Sequence, residues 1–475
     1  MNNNKNNVIQ FSNKHFIEFP SIPEEAKNIL LIGSWKNIFG ELHLFSDDKY
    51  DVTPEMGWPL RNMLPLVNFL KKKHKLTLYC DKQTIEYFNR LLTLLDDLLV
   101  FKNAGIDNVF KYVTAISHSD VKSNNNTLLN ELLKWFNNKK EKNMKFDMII
   151  QNPPYSGDLH LDFFEMGCDL LSEKGKMVII EPATWLINVR RNGKARKYDM
   201  IKKKIEGHVE SVVVENMNNE FGIEQQLPLA TTTIDMGKFF SVIDFKCFGE
   251  HRVVTSIYDC NMIGSYNVIQ SILTKCQNFG DVMNQHITTQ NMGDGVFYIK
   301  CSSDILGRGF CSDGKRALSD ATYQKINNNF YHINYVGSCY HHKSGNCISD
   351  VPFEKNDSNG NKIQGTISGN IYGTKEELEN WKHFIFNNKL PLFLNIVLTI
   401  DQHNNSKYFV PWLVDRQYTD DEINELFCFT EEEIKLIEVT LKKYERRSPW
   451  FRRYLGGKDA ATDEEVNNFI REISK

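Results

Sequence analysis

No long uninterrupted hydrophobic run occurs in this chain. The most apolar stretch, Leu390 to Ile400, is short and broken by Asn395, well under the about 20 residues that a membrane-spanning helix needs. The opening Met1-Asn2-Asn3-Asn4-Lys5-Asn6-Asn7 has no apolar signal-peptide core behind it. Neither sign of charge is in excess. The 57 Lys and Arg face 60 Asp and Glu, for a formal net charge of -3. That argues against a strongly basic nucleic-acid coat protein but leaves room for local basic patches, because steering depends on where charges sit. There is no internal repeat, no phosphate-binding Gly-Lys-Ser loop, no Ser-His-Asp arrangement and no Pro-Asp…Asp/Glu-x-Lys nuclease pattern. The 10 cysteines are scattered, which reads as reduced thiols. The expectation is a protein without a membrane segment, kept in a cytoplasm, bacterial or that of a viral host.

What is present suits folded domains. The chain has 475 residues, 41% hydrophobic, 12% aromatic and 25% charged, enough for two or three domains or one enzyme domain with a large appendage. Strands and helices alternate in the first half. Asn28 to Gly33 reads as a buried strand and Trp58 to Lys73 as a helix. Leu76 to Cys80 reads as a strand ending at Asp81, Thr84 to Leu95 as a helix, and Val109 to Ile116 as a strand. Phe146 to Ile150 is a short apolar strand. Asn152-Pro153-Pro154-Tyr155-Ser156-Gly157 must then be a loop, since consecutive prolines join neither a ladder nor a helix interior. Leu159 to Leu171 is an amphipathic helix with Gly175 at its exit, and Met177 to Ile180 is the next strand. Strand, loop, helix and strand in this order predict a crossover in a parallel sheet. Ser211 to Glu215 and Thr231 to Asp235 add strands. Such a sheet places ligands at the carboxyl ends of its strands, where Asp81 and Asn152 fall. From about residue 245 the strands shorten, and Gly, Ser and Asn are dense from Gly307 to Gly373. The tail turns helical, with capping-box spacings at Thr419/Glu422 and Thr430/Glu433. The expected division is 1-245 and 246-475.

The phrase Phe146-Asp147-Met148-Ile149-Ile150-Gln151-Asn152-Pro153-Pro154-Tyr155 resembles motif IV of the amino-methyltransferases that use S-adenosylmethionine, written Asp/Asn-Pro-Pro-Tyr. An adenine amino group is a poor nucleophile because its lone pair is delocalised into the ring. The Asn152 side-chain oxygen and the Pro153 carbonyl would each accept one amino hydrogen and favour a tetrahedral nitrogen facing the methyl donor. Pro153 and Pro154 stiffen the loop that holds these acceptors. Tyr155 offers an aromatic face to an extruded base. The run Gly175 to Leu186, with Glu181-Pro182-Ala183-Thr184-Trp185, is similar to the segment after motif IV in N6-adenine DNA methyltransferases of restriction-modification systems and phages. Phe409 to Leu413 and Tyr418 to Glu422 are similar to the tail of phage-type members.

This resemblance implies an α/β fold with a class I methyltransferase-like, Rossmann-like mixed sheet, followed by a loop-rich α+β target-recognition module. It implies transfer of methyl from S-adenosylmethionine to a flipped adenine of double-stranded DNA, and it leaves room for a separate restriction nuclease as partner. For the cofactor, Thr53-Pro54-Glu55-Met56-Gly57-Trp58 stands best for motif I, through Thr53, Glu55 and Gly57, although it has one glycine and Trp58-Pro59 follows where small residues are expected. Asp81 would take the ribose hydroxyls and Asp120 the adenine moiety. Gly33-Ser34 is set aside because a long gap separates it from Asp81. The eroded motif I keeps open a non-catalytic, DNA-binding or partner-binding copy of the fold, and RNA or a protein glutamine amide remains open as substrate.

Two basic runs have the composition to track phosphate. Arg190, Arg191, Lys194, Arg196 and Lys197, with Lys202 to Lys204 behind them, lie one segment past the motif IV loop. Arg446, Arg447, Arg452 and Arg453 interleave with Trp450, Phe451 and Tyr454, which suits phosphate contact plus stacking. Such runs are more often solvated faces. Cys339, His341, His342 and Cys347 do not form a standard zinc spacing, and no metal is expected.

Overall fold

The computed structural model describes residues 8–11, 15–18, 26–33, 70–97, 99–118, 134, 145–153, 155, 159–186, 194–217, 228–288, 331–335, 348–349, 354–356, 362–364, 369–373, 375–400, 403–404, 408–445 and 447–475. The expected helix over Trp58 to Lys73 lies outside these except at its end, as does the Cys339/His341/His342/Cys347 group. Among the described residues no helix is long and apolar enough to cross a membrane, and no group of His, Cys, Asp or Glu has the arrangement to hold a metal.

A nine-stranded sheet organises the first of two compact units. Its strands in chain order are β1 (Asn28–Ile32), β2 (Lys75–Asp81), β3 (Val113–His118), β4 (Phe146–Gln151), β5 (Leu171–Pro182), β6 (Val209–Glu215), β7 (Leu229–Asp235), β8 (Ile243–Cys247) and β9 (Glu250–Val254). Across the sheet they lie in the order β9-β8-β6-β7-β5-β4-β1-β2-β3. Pairings from β3 through β5 are parallel. β7 runs antiparallel between β5 and β6, and β9 antiparallel to β8. Three parallel strands wound outward from β1, then a return to β4 and β5 and one reversed strand, make the class I methyltransferase-like, Rossmann-like sheet.

The central strands carry apolar runs because they are covered on both faces. Met148 and Ile149 in β4 and Met177 to Ile180 in β5 are fully buried. Asp147 breaks the run at the amino end of β4. Its carboxylate accepts from the backbone N–H groups of Lys27 (2.9 Å) and Asn28 (3.1 Å), which fixes where β1 starts. Helix α1 (Lys82–Asp97) follows β2 and helix α2 (Leu159–Leu170) follows β4, as the periodicity predicts, with Phe88, Leu92, Phe163 and Phe164 inward. Helix α3 (Lys194–Ile205) precedes β6. Two boundaries differ from expectation. Val109–Lys111 is a turn of 3-10 helix, so β3 begins later. Gly175 is not a helix exit but lies inside β5 at a register shift, where a Cβ would stand 2.8 Å from the Leu171 side chain and from the Phe146 carbonyl.

The first unit runs to Cys260, past the expected division at 245, because β8 and β9 continue the same sheet. The second unit has a four-stranded antiparallel sheet of Ile287–Thr288, Gly369–Gly373, Tyr331–Tyr335 and Ile348–Ser349. Its helices are α4 (Tyr266–Asn278), α5 (Lys375–Asn387), α6 (Lys389–Val397), α7 (Asp420–Leu426), α8 (Glu431–Lys443), α9 (Pro449–Leu455) and α10 (Asp463–Ile473). Ile272, Trp381, Phe384, Phe393 and Leu394 centre its core. The capping boxes expected at Thr419/Glu422 and Thr430/Glu433 are both formed, and Thr462/Glu465 adds a third at α10.

Candidate active site

The strand order reverses direction between β1 and β4, and it is outside the carboxyl ends at such a point that an open α/β sheet leaves a crevice. Two residues meet there. Gly33 follows β1 with φ +110° and donates its N–H to the Tyr79 carbonyl at 2.9 Å. Asn152 follows β4 and donates its N–H to the Ile32 carbonyl at 2.9 Å. A Cβ on Gly33 would stand 2.2 Å from the Asn152 carbonyl oxygen, so only glycine permits this approach. The loop of the Asn-Pro-Pro-Tyr phrase is thus held by backbone against the end of the central strand. The gap argument against Gly33 fails here, since β1 and β2 pair directly despite the long connection.

Asn152 and Pro153 are buried and Tyr155 is half-buried. The Tyr155 hydroxyl donates to Asn152 Oδ1 at 2.5 Å and lies 3.4 Å from the Ile180 carbonyl on β5. Burial, with the neighbouring Glu181 second, pushes the Tyr155 phenol well above its ordinary range, so it stays protonated and a donor. Pro154 lies outside the described residues. Asp81 ends β2 at the same carboxyl end of the sheet. Thr53, Glu55, Gly57 and Asp120 lie outside the description.

Glu181 was not singled out from sequence. It sits near the carboxyl end of β5, fully buried, and neither carboxyl oxygen has a hydrogen-bond partner among the described residues. Burial pushes its pKa well above the usual carboxylate range, which favours the neutral acid. Gln151, the last residue of β4, is also fully buried. Its Nε2 contacts Met177 Sδ at 3.3 Å, and its Oε1 has no hydrogen-bond partner among the described residues. The registers Gln151↔Ile179 and Ile179↔Thr232 put Gln151, Glu181 and Thr232 on one face, because side chains alternate along β5. An acid directly after the apolar run Met177 to Ile180 was the available signal.

The basic runs serve other ends where they are described. Arg190 and Arg191 lie outside the description, and Lys194 and Arg196 are placed only as backbone of α3. Lys197 pairs with Asp162 and Lys204 with Asp169, both of which tie α3 to α2. Lys202 is fully buried. It donates to the Leu186 carbonyl at 3.3 Å and lies over the rings of Trp185 and Tyr258 at 5.9 and 5.1 Å. Burial lowers its pKa to about 7. In the C-terminal run the aromatics are core and offer no stacking face, since Trp450, Phe451 and Tyr454 are buried. Arg452 and Arg453 pair with Glu465 and Asp463 across α9 and α10.

No family model matches the chain, and no curated protein matches it. Similar solved structures include the O-methyltransferase TomG from Streptomyces achromogenes in complex with SAM, at 12% identity over 44% of this chain and 73% of that one, with a TM-score of 0.25. The O-methyltransferase from Bacillus cereus in complex with SAH is 13% identical over 44% of this chain and 74% of that one, with a TM-score of 0.24. A structure of a type I R-M system is 12% identical over 46% of this chain and 40% of that one, with a TM-score of 0.25.

Proposed function

We propose that this chain is an S-adenosylmethionine-dependent amino-methyltransferase whose substrate is the N6 amine of adenine in DNA. The observation that carries the reading is the seating of Asn152 and Pro153 at the reversal point of the sheet, pinned by Gly33 and by the Ile32 carbonyl. Two carbonyl-type acceptors at consecutive positions suit an amine with two hydrogens. Their preorganisation matters because the bonds strengthen as the nitrogen gains positive charge. Tyr155 is the aromatic group nearest in sequence to these acceptors, and its ring suits stacking on a planar base.

The residues present fit the cofactor. A positive-φ glycine after β1 and an acid at the end of β2 are the types that take the methionine and ribose parts, which gives that role to Gly33 and Asp81. Bound there, S-adenosylmethionine supplies a methyl group on a positively charged sulfur. The chain's own task is to hold the amine against it, Asn152 Oδ1 and the Pro153 carbonyl each accepting one hydrogen. The second unit, appended at Asn261, suits a long polymer substrate better than a small molecule.

The test is incubation with methyl-labelled cofactor and unmethylated genomic DNA, followed by digestion to nucleosides. Label in N6-methyl-2′-deoxyadenosine supports the reading. Label confined to RNA or to protein glutamine would keep the chemistry and replace the substrate. Cofactor binding with no label in any polymer would overturn the enzyme assignment.

A further inference from the structure

A single hydroxyl proton at Tyr155 has two acceptors within reach. It goes to Asn152 Oδ1 at 2.5 Å, with the Ile180 carbonyl at 3.4 Å beyond. The phenol therefore bridges the carboxyl ends of β4 and β5, just where the two strands cease to pair after Gln151↔Ile179. The Asn152 backbone is already fixed by the Ile32 carbonyl and by contact with Gly33. What remains free to turn is its side chain. No other described hydrogen bond to Asn152 Oδ1 or Nδ2 restrains it.

We infer that the Tyr155 hydroxyl is a positioning group that anchors the Asn152 carboxamide, leaving the second lone pair of Oδ1 aimed at the substrate amine. The inference rests on the function proposed above and adds a role for the phenol distinct from stacking by its ring. An amide oxygen accepts two hydrogen bonds, so one from Tyr155 and one from the amine are compatible. An anchored acceptor does not have to reorganise as the nitrogen becomes positive, which is where preorganised acceptors act on rate. Burial and the neighbouring Glu181 keep the phenol a donor well beyond pH 10, so the anchor persists across the working range.

Tyr155→Phe keeps the ring and deletes the anchor. With unmethylated genomic DNA, kcat should fall about tenfold, the size of one ordinary hydrogen bond, while KM and the melting temperature stay at wild-type values. Because the hydroxyl acts through Asn152, the double variant Asn152→Ala/Tyr155→Phe should be no slower than Asn152→Ala alone. A wild-type kcat for Tyr155→Phe would overturn the inference, as would two losses that multiply in the double variant. A crystal structure of Tyr155→Phe decides the point without any activity. The Asn152 side chain should leave its rotamer, and an unmoved carboxamide would overturn the anchor. If wild-type protein methylates no DNA, the function proposed above fails, and that structure still decides the anchor on its own.

Discussion

Gly33 is the residue on which the geometry of the crevice turns. Alanine there must adopt φ +110° and place a methyl group 2.2 Å from a backbone oxygen that cannot swing away. The conformational cost alone is about 1–3 kcal/mol. Gly33→Ala should therefore lower the melting temperature and also abolish methyl transfer, whereas a residue needed only for stability would leave activity intact below the transition. Asn152→Ala tests the acceptor itself. Loss of one preorganised hydrogen bond of this kind costs about 2.7–4 kcal/mol, on the order of a hundredfold in rate, and calorimetric affinity for S-adenosylmethionine should be unchanged. Glu181 gives a pH test. Its folded pKa lies well above the unfolded value. Its contribution is thus fully present below about pH 4.5 and is lost as pH rises toward the folded pKa, because the unfolded chain ionises first. Glu181→Gln should match wild-type stability at low pH and exceed it by a margin that widens as pH rises above about 4.5 in urea titrations. Identical slopes would mean that the acid is ionised in the folded protein. The loop from Asn152 to Tyr155 was legible in the sequence because two prolines permit few backbone paths. Gly33 was not, because the long connection after β1 hid the direct pairing of β1 with β2.

Among the elements, α3 shows what a charge count conceals. Read as composition, Lys194 to Lys204 is a basic run. Read at helical spacing, Tyr198, Ile201, Lys202 and Ile205 form a single inward stripe, and all four are buried. Lys202 is thus a core residue with a charged head, held by the Leu186 carbonyl and two aromatic faces. With a folded pKa of about 7 against an ordinary 10.5, the unfolded chain binds a proton that the folded protein releases. The resulting penalty is absent above about pH 10.5, grows as pH falls, and is complete near pH 7. Lys202→Met should be more stable than wild type at pH 7, by on the order of a few kcal/mol, with the advantage shrinking toward pH 10. A difference independent of pH would show that the amine stays charged. The Trp450/Phe451/Tyr454 run in α9 teaches the same lesson, because aromatics three and four residues apart on a helix face mark a core stripe before they mark a stacking platform.

At the scale of the whole molecule, the first unit ends at Cys260 and not near 245. The shorter strands from about residue 245 suggested an earlier boundary because β8 and β9 alternate inward and outward residues, as a sheet margin does, while Met177 to Pro182 of β5 are buried without a break. The alternating strands are nonetheless structural. β8 pairs in parallel with β6 from Asp244↔Ser211 to Cys247↔Val214, and Phe245, Cys247 and Phe248 are fully buried. A cut after residue 245 removes Lys246 and Cys247 of β8 and all of β9, exposes part of the edge of β6, and deletes Phe248, whose N–H donates to the Val214 carbonyl at 3.0 Å. It also removes Tyr258 from above the Lys202 amine. An open apolar edge of this kind is a template for pairing with other chains. A fragment of residues 1–260 should therefore be monomeric by gel filtration and unfold in one urea transition, while 1–245 should aggregate. Equal behaviour of the two fragments would place β8 and β9 outside the cooperative unit, and the sheet that positions Asn152 would then have to be complete without them.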